Sequence, residues 1–272
     1  MTVAVNGEKI FLGTNGYPLQ SAAVYGPIHS RRYGYSLGIN PLPISYKFCD
    51  FDCVYCQYGW TPRPGSEVQR TEERLKSANE LLSEVERIFQ ELTAAQTPVD
   101  MITIAGNGEP TLHPDFLKFV KGLVRLRGEY FPGKRIGILS DASQCHRPQI
   151  REALQGLEER CMKLDAGDPK TIEQINRPAG GFNLKRTIEA LKSLDNVTIQ
   201  SMFVQGTCDN TQAEQVDRWV NAVGEIQPIS VQIYTIDRPP ADSRIRPVPM
   251  ARLHEVAEIC ERVAGVPTEV FE

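Results

Sequence analysis

Short apolar or β-branched runs alternate with longer segments of helical periodicity along almost the whole chain. The runs are YSLGIN (35–40), VDMITIAG (99–106), RIGILSD (135–141), CMKLDAG (161–167), VTIQSMFVQG (197–206) and ISVQIYTID (229–237). Each has the length and residue types of a buried strand. Between them, apolar positions recur at three- and four-residue intervals, which predicts helices over 77–92, 115–128, 147–157, 182–194, 211–223 and 250–263. In FLKFVKGLVRL, for example, Phe116, Phe119, Val120 and Val124 fall on one face. Asp115 just ahead of that segment, and Asn210 or Thr211 ahead of QAEQVDRWV, read as helix N-caps.

Near-continuous apolar strands separated by helices imply a parallel sheet, because parallel neighbours need crossover connections and those crossovers are right-handed. Six such units are too few for a closed eight-stranded barrel. On pattern alone, an open or partial barrel and a doubly wound sheet both remain. In either, ligands bind where the strands end at their carboxyl edge. The segments there are KFCDFDCVYC (47–56), GNGEPTLH (106–113), SDASQCH (140–146), DAGDP with INRPAGG, QGTCDN and DRPPAD, in strand order.

Composition narrows the class without naming a function. The 272 residues are 41% hydrophobic and 24% charged, as in an ordinary globular protein, and one domain is expected over 1–272 with 1–34 as an N-terminal extension. No apolar run approaches the ~20 residues of a membrane helix. The opening MTVAVNGEKIFLGTNG lacks a basic n-region, so the expectation is a cytoplasmic protein that does not enter a membrane. A net charge of -4 gives no global attraction for nucleic acid. Seven cysteines without a pairing pattern point to reduced thiols or ligands, not to a disulfide framework.

Three of those cysteines, Cys49, Cys53 and Cys56, fall within eight positions; Cys145, Cys161, Cys208 and Cys260 are scattered singly. A structural zinc site wants four closed ligands, usually as two separated pairs. Three thiolates suit a [4Fe-4S] cluster that keeps one iron without a protein ligand, with Phe51, Val54 and Tyr55 shielding it from water. Two other readings of the cysteines are a four-ligand iron–sulfur redox protein and a zinc hydrolase using Cys, His and Glu.

CDFDCVYC resembles the cluster loop of the radical S-adenosylmethionine superfamily, and AGNGEPT resembles that family's glycine-glycine-glutamate segment with Asn107 in place of the first glycine. The resemblance implies an α/β fold, a partial (β/α)6 TIM-like barrel with parallel strands. It implies a [4Fe-4S] cluster on Cys49, Cys53 and Cys56, with S-adenosylmethionine as the second cofactor. Tyr55, Asn107, Gly108, Glu109 and Ser140 would line the cofactor, with Ser143 a further candidate and Asp141 a departure from the family's asparagine-glycine. The implied activity is reductive cleavage of S-adenosylmethionine to methionine and a 5′-deoxyadenosyl radical that abstracts hydrogen from a substrate. A flavodoxin or ferredoxin type reductant is the implied partner. YGPIHSRRYGYSLGINPLP, KLDAGDPKTIEQINRP and DRPPAD together resemble Fe-S oxidoreductases related to the radical domain of wybutosine-synthesising tRNA enzymes. That would allow a tRNA substrate, which the net charge does not support.

Residues toward the substrate are less determined. Lys163, Cys145 and Cys208 are candidates for catalytic roles, and Asp165, Gln200 and Gln205 for the pocket wall. Arg31, Arg32, Arg177 and Arg238 are candidates for anion binding or rim ion pairs, and His29, His113 and His146 for proton donation or local hydrogen bonds. A small-molecule or nucleotide-containing substrate is expected.

Overall fold

The computed structural model describes residues 2–5, 8–30, 33–62 and 74–271; Arg31 and Arg32 lie outside them. The chain opens with an antiparallel hairpin, β1 (Thr2–Val5) and β2 (Glu8–Phe11). Then come β3 (Val24–Ser30), β4 (Gly34–Ile39), α1 (Ala78–Ala94), β5 (Met101–Ile104), α2 (Phe116–Tyr130), β6 (Arg135–Ser140) and α3 (Pro148–Gln155). The second half holds β7 (Glu159–Lys163), α4 (Pro169–Ile175), α5 (Leu184–Lys192), β8 (Val197–Met202), β9 (Gln205–Gly206) and α6 (Ala213–Ile226). It finishes with β10 (Ser230–Tyr234), β11 (Ile245–Arg246), α7 (Met250–Ala264) and β12 (Thr268–Phe271).

Eight strands form one sheet in the order β3-β4-β5-β6-β7-β8-β10-β12, and every pair except β3 with β4 is parallel. The strand order never reverses. A doubly wound sheet has a switch point where it does, so the architecture is an α/β partial TIM-like barrel, open because β12 and β3 remain its edges. Successive right-handed crossovers that all step the same way place the helices on one face. The six expected strands are β4 to β8 and β10. The sheet gains β12 as a seventh parallel strand and, from within the expected extension 1–34, β3 as an antiparallel edge.

Side chains alternate across the strands, as the pleat demands. Leu37, Ile39, Ile102, Ile104, Ile136, Ile138, Met162, Ile199, Val231 and Ile233 join the helices in one core, with Phe89, Phe119, Leu123, Trp219 and Leu253 among its largest members. Burying residues of this size contributes about 1.5–3 kcal/mol each before entropy is counted. The opposite face is polar. Ser36 Oγ and Thr103 Oγ1 lie 2.7 Å apart, Lys163 Nζ donates to the Tyr234 hydroxyl at 3.2 Å, and that hydroxyl donates to Gln200 Oε1 at 3.1 Å. This face is the lumen. The expectation of near-continuous apolar strands therefore holds for the helix side only.

Capping differs from the expectation in two places. Asp115 makes no side-chain cap on α2; its Oδ2 instead accepts from Ala78 N at 3.1 Å, at the start of the neighbouring α1. Asn210 does not cap α6. Its amide joins Val204 N, Met202 O and Asp165 O, pinning the end of β8 to the end of β7. The unexpected helix α4 has ordinary signals, with Asp168 accepting from Thr171 N at 3.0 Å and Pro169 in the first turn.

Candidate cluster and cofactor site

The loop after β4 carries the three cysteines and is held on both sides by backbone. On one side Phe48 N donates to Asn107 O at 2.7 Å and Glu109 N to Phe48 O at 3.0 Å. Gly108 makes this approach possible: its φ is +144°, and a Cβ there would sit 1.8 Å from Phe48 O. On the other side the segment after α4 pairs with the loop, through Asp52 N to Asn176 O, Val54 N to Ile175 O and Ala179 N to Asp50 O at 2.7–2.9 Å. The cysteine loop is thus clamped between the loop after β5 and the C-terminal end of α4.

Within the clamp, Phe51, Val54, Tyr55, Ile175, Met202, Val204 and Ile245 form a second apolar cluster, bordered by Cys49, Cys56 and Cys208 and including Cys53. All three loop cysteines are free thiols. Phe51 N donates to Cys49 Sγ at 3.4 Å and Asn176 Nδ2 to Cys53 Sγ at 3.4 Å. Burial, then the Asp165 charge, pushes the Cys53 thiol up to about 12; burial and Asp141 push Cys49 up as well. Such thiols become thiolates only with a strong positive charge beside them, which a bound metal provides. Lys47 lies buried beneath the loop with its Nζ 3.1 Å from Gly59 O and 3.7 Å from Asp52. Burial opposes its charge, but Cys56, Cys49, Cys53 and Asp52 outweigh that and raise its pKa.

A ring of acids adjoins Cys49. Cys49 Sγ lies 3.7 Å from Asp141 Oδ2, and Asp50 completes a set of three ligating atoms within 4.8 Å of one another. Glu109 is 2% exposed and accepts from Thr111 N at 2.9 Å, Thr111 Oγ1 at 2.5 Å, Ser140 Oγ at 2.9 Å and Asp141 N at 2.6 Å. Even so, burial and neighbouring acids raise the Glu109 and Asp141 carboxyls. Among the described residues none of Asp50, Glu109 and Asp141 forms an ion pair, and Asp50 Oδ1 is buried without a hydrogen-bond partner. Three clustered carboxylates lacking a cation suit a ligand with positive charge.

The remaining candidates divide by position. Asn107 is fully buried, and its side chain is committed to Gln20 N, Gln20 O and Pro43 O, so it offers the site its backbone. The Tyr55 hydroxyl donates to Asp165 and receives from Asn176. Lys163 is held above its ordinary pKa: burial opposes the charge, while Asp165, Tyr234 and Cys53 outweigh it. It faces the lumen, 5.1 Å from the Tyr55 ring. Cys145 packs in the main core and Cys208 beside the loop cluster, so the two belong to different packing groups. Arg177 stacks on Trp60 at 4.8 Å and Arg238 near Tyr17 at 5.8 Å. His113 fills local bonds to Lys76 O and Asp115 N, and His146 bonds Ser143 O. A cleft of about 370 Å³ opens elsewhere, between the N-terminal ends of α2 and α3. Sequence reasoning assigned no role to Lys47, Asp50 or Asn176. Lys47 lies two residues before Cys49 and Asp50 directly after it, while Asn176 joins Cys53 across 123 residues, which no local signal marks.

The donor set fits a [4Fe-4S] cluster better than a single zinc. Among the described residues the one compact set of ligating atoms omits Cys53 and Cys56, so the three sulfurs are not drawn around one small ion. All three belong to or border one apolar cluster, and N–H groups donate to two of the sulfurs. A partial barrel whose first strand-end loop carries three cysteine thiols, with a buried glutamate loop at the second, defines a class of cofactor-dependent barrel proteins. The radical SAM superfamily model matches residues 44–218, and the chain belongs to that superfamily. It is 31% identical to a UPF0026 protein of Synechocystis sp., over 80% of this chain and 76% of that one. It is 30% identical to a UPF0026 protein of Helicobacter pylori, over 79% and 67%. A radical SAM methyltransferase from Sphaerobacter thermophilus shares the fold at a TM-score of 0.65 and 14% identity, over 100% of this chain and 75% of that one. Streptococcus suis SuiB bound to S-adenosylmethionine does so at 0.60 and 18%, over 84% and 49%.

Proposed function

We propose that the protein is a radical S-adenosylmethionine enzyme in which Cys49, Cys53 and Cys56 hold three irons of a [4Fe-4S] cluster. The observation that carries this reading is the convergence, at one strand-end rim, of three free thiols with the uncompensated acids Asp50, Glu109 and Asp141. S-adenosylmethionine carries an ammonium and a sulfonium, the charges such a rim complements. When bound, the cluster and S-adenosylmethionine supply the chemistry: one electron breaks a carbon–sulfur bond, releasing methionine and a 5′-deoxyadenosyl radical that takes a hydrogen atom from the substrate.

The chain's own residues bind and orient. Thr111, Ser140 and the Asp141 amide hold the Glu109 carboxylate in one orientation, toward which the ammonium is drawn. Gly108 lets the backbone approach closely, and Phe51, Val54 and Tyr55 keep water from the sulfurs. On the lumen side Lys163, Tyr234, Gln200 and Gln232 offer a cation and amides to a polar small molecule or to the base end of a nucleotide. A flavodoxin or ferredoxin type protein supplies the electron. Anaerobic reconstitution with iron and sulfide, reduction, and assay of 5′-deoxyadenosine test this reading. Product from the wild type and none from Cys53→Ala is expected; equal amounts from both would refute it.

A further inference from the structure

Asn176 ends α4 and is 1% exposed, yet its side chain is not there to satisfy itself. Its carbonyl Oδ1 is buried without a partner, while its Nδ2 lies 2.6 Å from Asp165 Oδ2, 3.1 Å from the Tyr55 hydroxyl and 3.4 Å from Cys53 Sγ. Leucine would fill the space without the orphaned oxygen. The donor end is therefore what the site uses. The amide has two hydrogens. Asp165 takes one, and the other lies between the tyrosine oxygen and the Cys53 sulfur. A ligating thiolate is the stronger acceptor of those two, because the bond to it is charge-assisted.

We propose that Asn176 is a positioning residue for the cluster, donating a hydrogen bond to the Cys53 sulfur that raises the cluster's reduction potential. The proposal rests on the cluster assignment made above. A donor aimed at a ligand sulfur stabilises the added electron, so the reduced state gains more than the oxidised one. It also gives the segment KLDAGDPKTIEQINRP a physical task. Asp165 at its start and Asn176 near its end close on Cys53 and Tyr55 from the far side of the loop.

The test is a redox titration of the reconstituted protein followed by electron paramagnetic resonance. Asn176→Ala should keep its iron, and at a fixed potential its reduced-to-oxidised ratio should fall about tenfold, equivalent to ~59 mV for a one-electron couple. Tyr55→Phe, which leaves the Asn176 contact in place, should shift much less. In the wild type labelled with side-chain ¹⁵N-asparagine, the reduced cluster should show a ¹⁵N hyperfine coupling that Asn176→Ala lacks. An unchanged ratio in Asn176→Ala, an equal shift in Tyr55→Phe, or no ¹⁵N coupling would each overturn the proposal. If Asn176→Ala cannot hold a cluster, the wild-type coupling alone decides. If the wild type takes up no cluster, the function proposed above fails first and this inference with it.

Discussion

Replacing Gly108 by alanine tests the clamp on the cysteine loop with one added methyl group. The Cβ would lie 1.8 Å from Phe48 O, 2.4 Å from Phe48 C and 3.0 Å from Phe48 N, all backbone atoms that no rotamer change can move aside. The backbone itself must shift. Two hydrogen bonds, Phe48 N to Asn107 O and Glu109 N to Phe48 O, span the contact, and losing both costs about 1–3 kcal/mol. An alanine at φ +144° adds strain of about 1–3 kcal/mol. The expected loss is therefore roughly 2–6 kcal/mol if both bonds break and the strain remains, and less if the loop detaches and relieves the strain, in which case the cysteines separate from Glu109. Denaturant midpoints and iron content after reconstitution distinguish these two outcomes. Gly128→Ala is the control: it lies in α2 with open space around it, so alanine should be neutral or stabilising by about 0.5–1 kcal/mol. Wild-type stability together with wild-type iron content in Gly108→Ala would refute the clamp.

Other consequences are independent of the clamp. Arg160 is buried and donates to Leu154 O, Gln155 O, Leu157 O and Asp195 O, closing the C-terminal end of α3. Arg160→Met should lower stability by about 2–4 kcal/mol in denaturant titration; a loss under ~0.5 kcal/mol would show those carbonyls find other partners. The raised carboxyls of Glu109 and Asp141 give a pH dependence of definite sign. Each binds its proton more tightly folded than unfolded, so the stabilisation is complete below about pH 4, the unfolded pKa. It declines as pH rises through the folded values. The metal-free protein should lose stability over that range, and Asp141→Asn should flatten the curve; an unchanged slope would remove Asp141 from the acid ring. Trp219 donates from Nε1 to Leu164 O and Ser201 Oγ, both at 3.0 Å, so Trp219→Phe should cost about 1–3 kcal/mol and broaden no transition.

Much of the barrel was legible because its strands are apolar runs and its helices have regular stripes. The exceptions have physical causes. β12 is only four residues, TEVF, and takes its place by parallel pairing to β10, a long-range contact with no local mark. β3 contains Gly26 and Pro27, which break the pattern of a regular strand; the register shift between Tyr25 and Ile28 lets an edge strand carry them. The lumen's polarity was present in the alternation of CMKLD and VTIQSM, which grouping these segments as apolar runs concealed. Asp115 shows another limit. It has the residue type and position of a cap, but its carboxylate serves the helix next door. At the site, the cysteines stood out by spacing and Glu109 by the resemblance of its segment to the family motif, whereas Asn176 became visible only when two distant segments were brought together.

The most direct test of the central claim is Mössbauer spectroscopy of protein reconstituted with ⁵⁷Fe, before and after S-adenosylmethionine is added. One [4Fe-4S] cluster per chain is expected, absent from Cys53→Ala, in which a single iron changes its signal on adding the cofactor while the other three do not. Four irons that all ignore S-adenosylmethionine, or a wild-type chain that binds zinc and assembles no cluster, would contradict it.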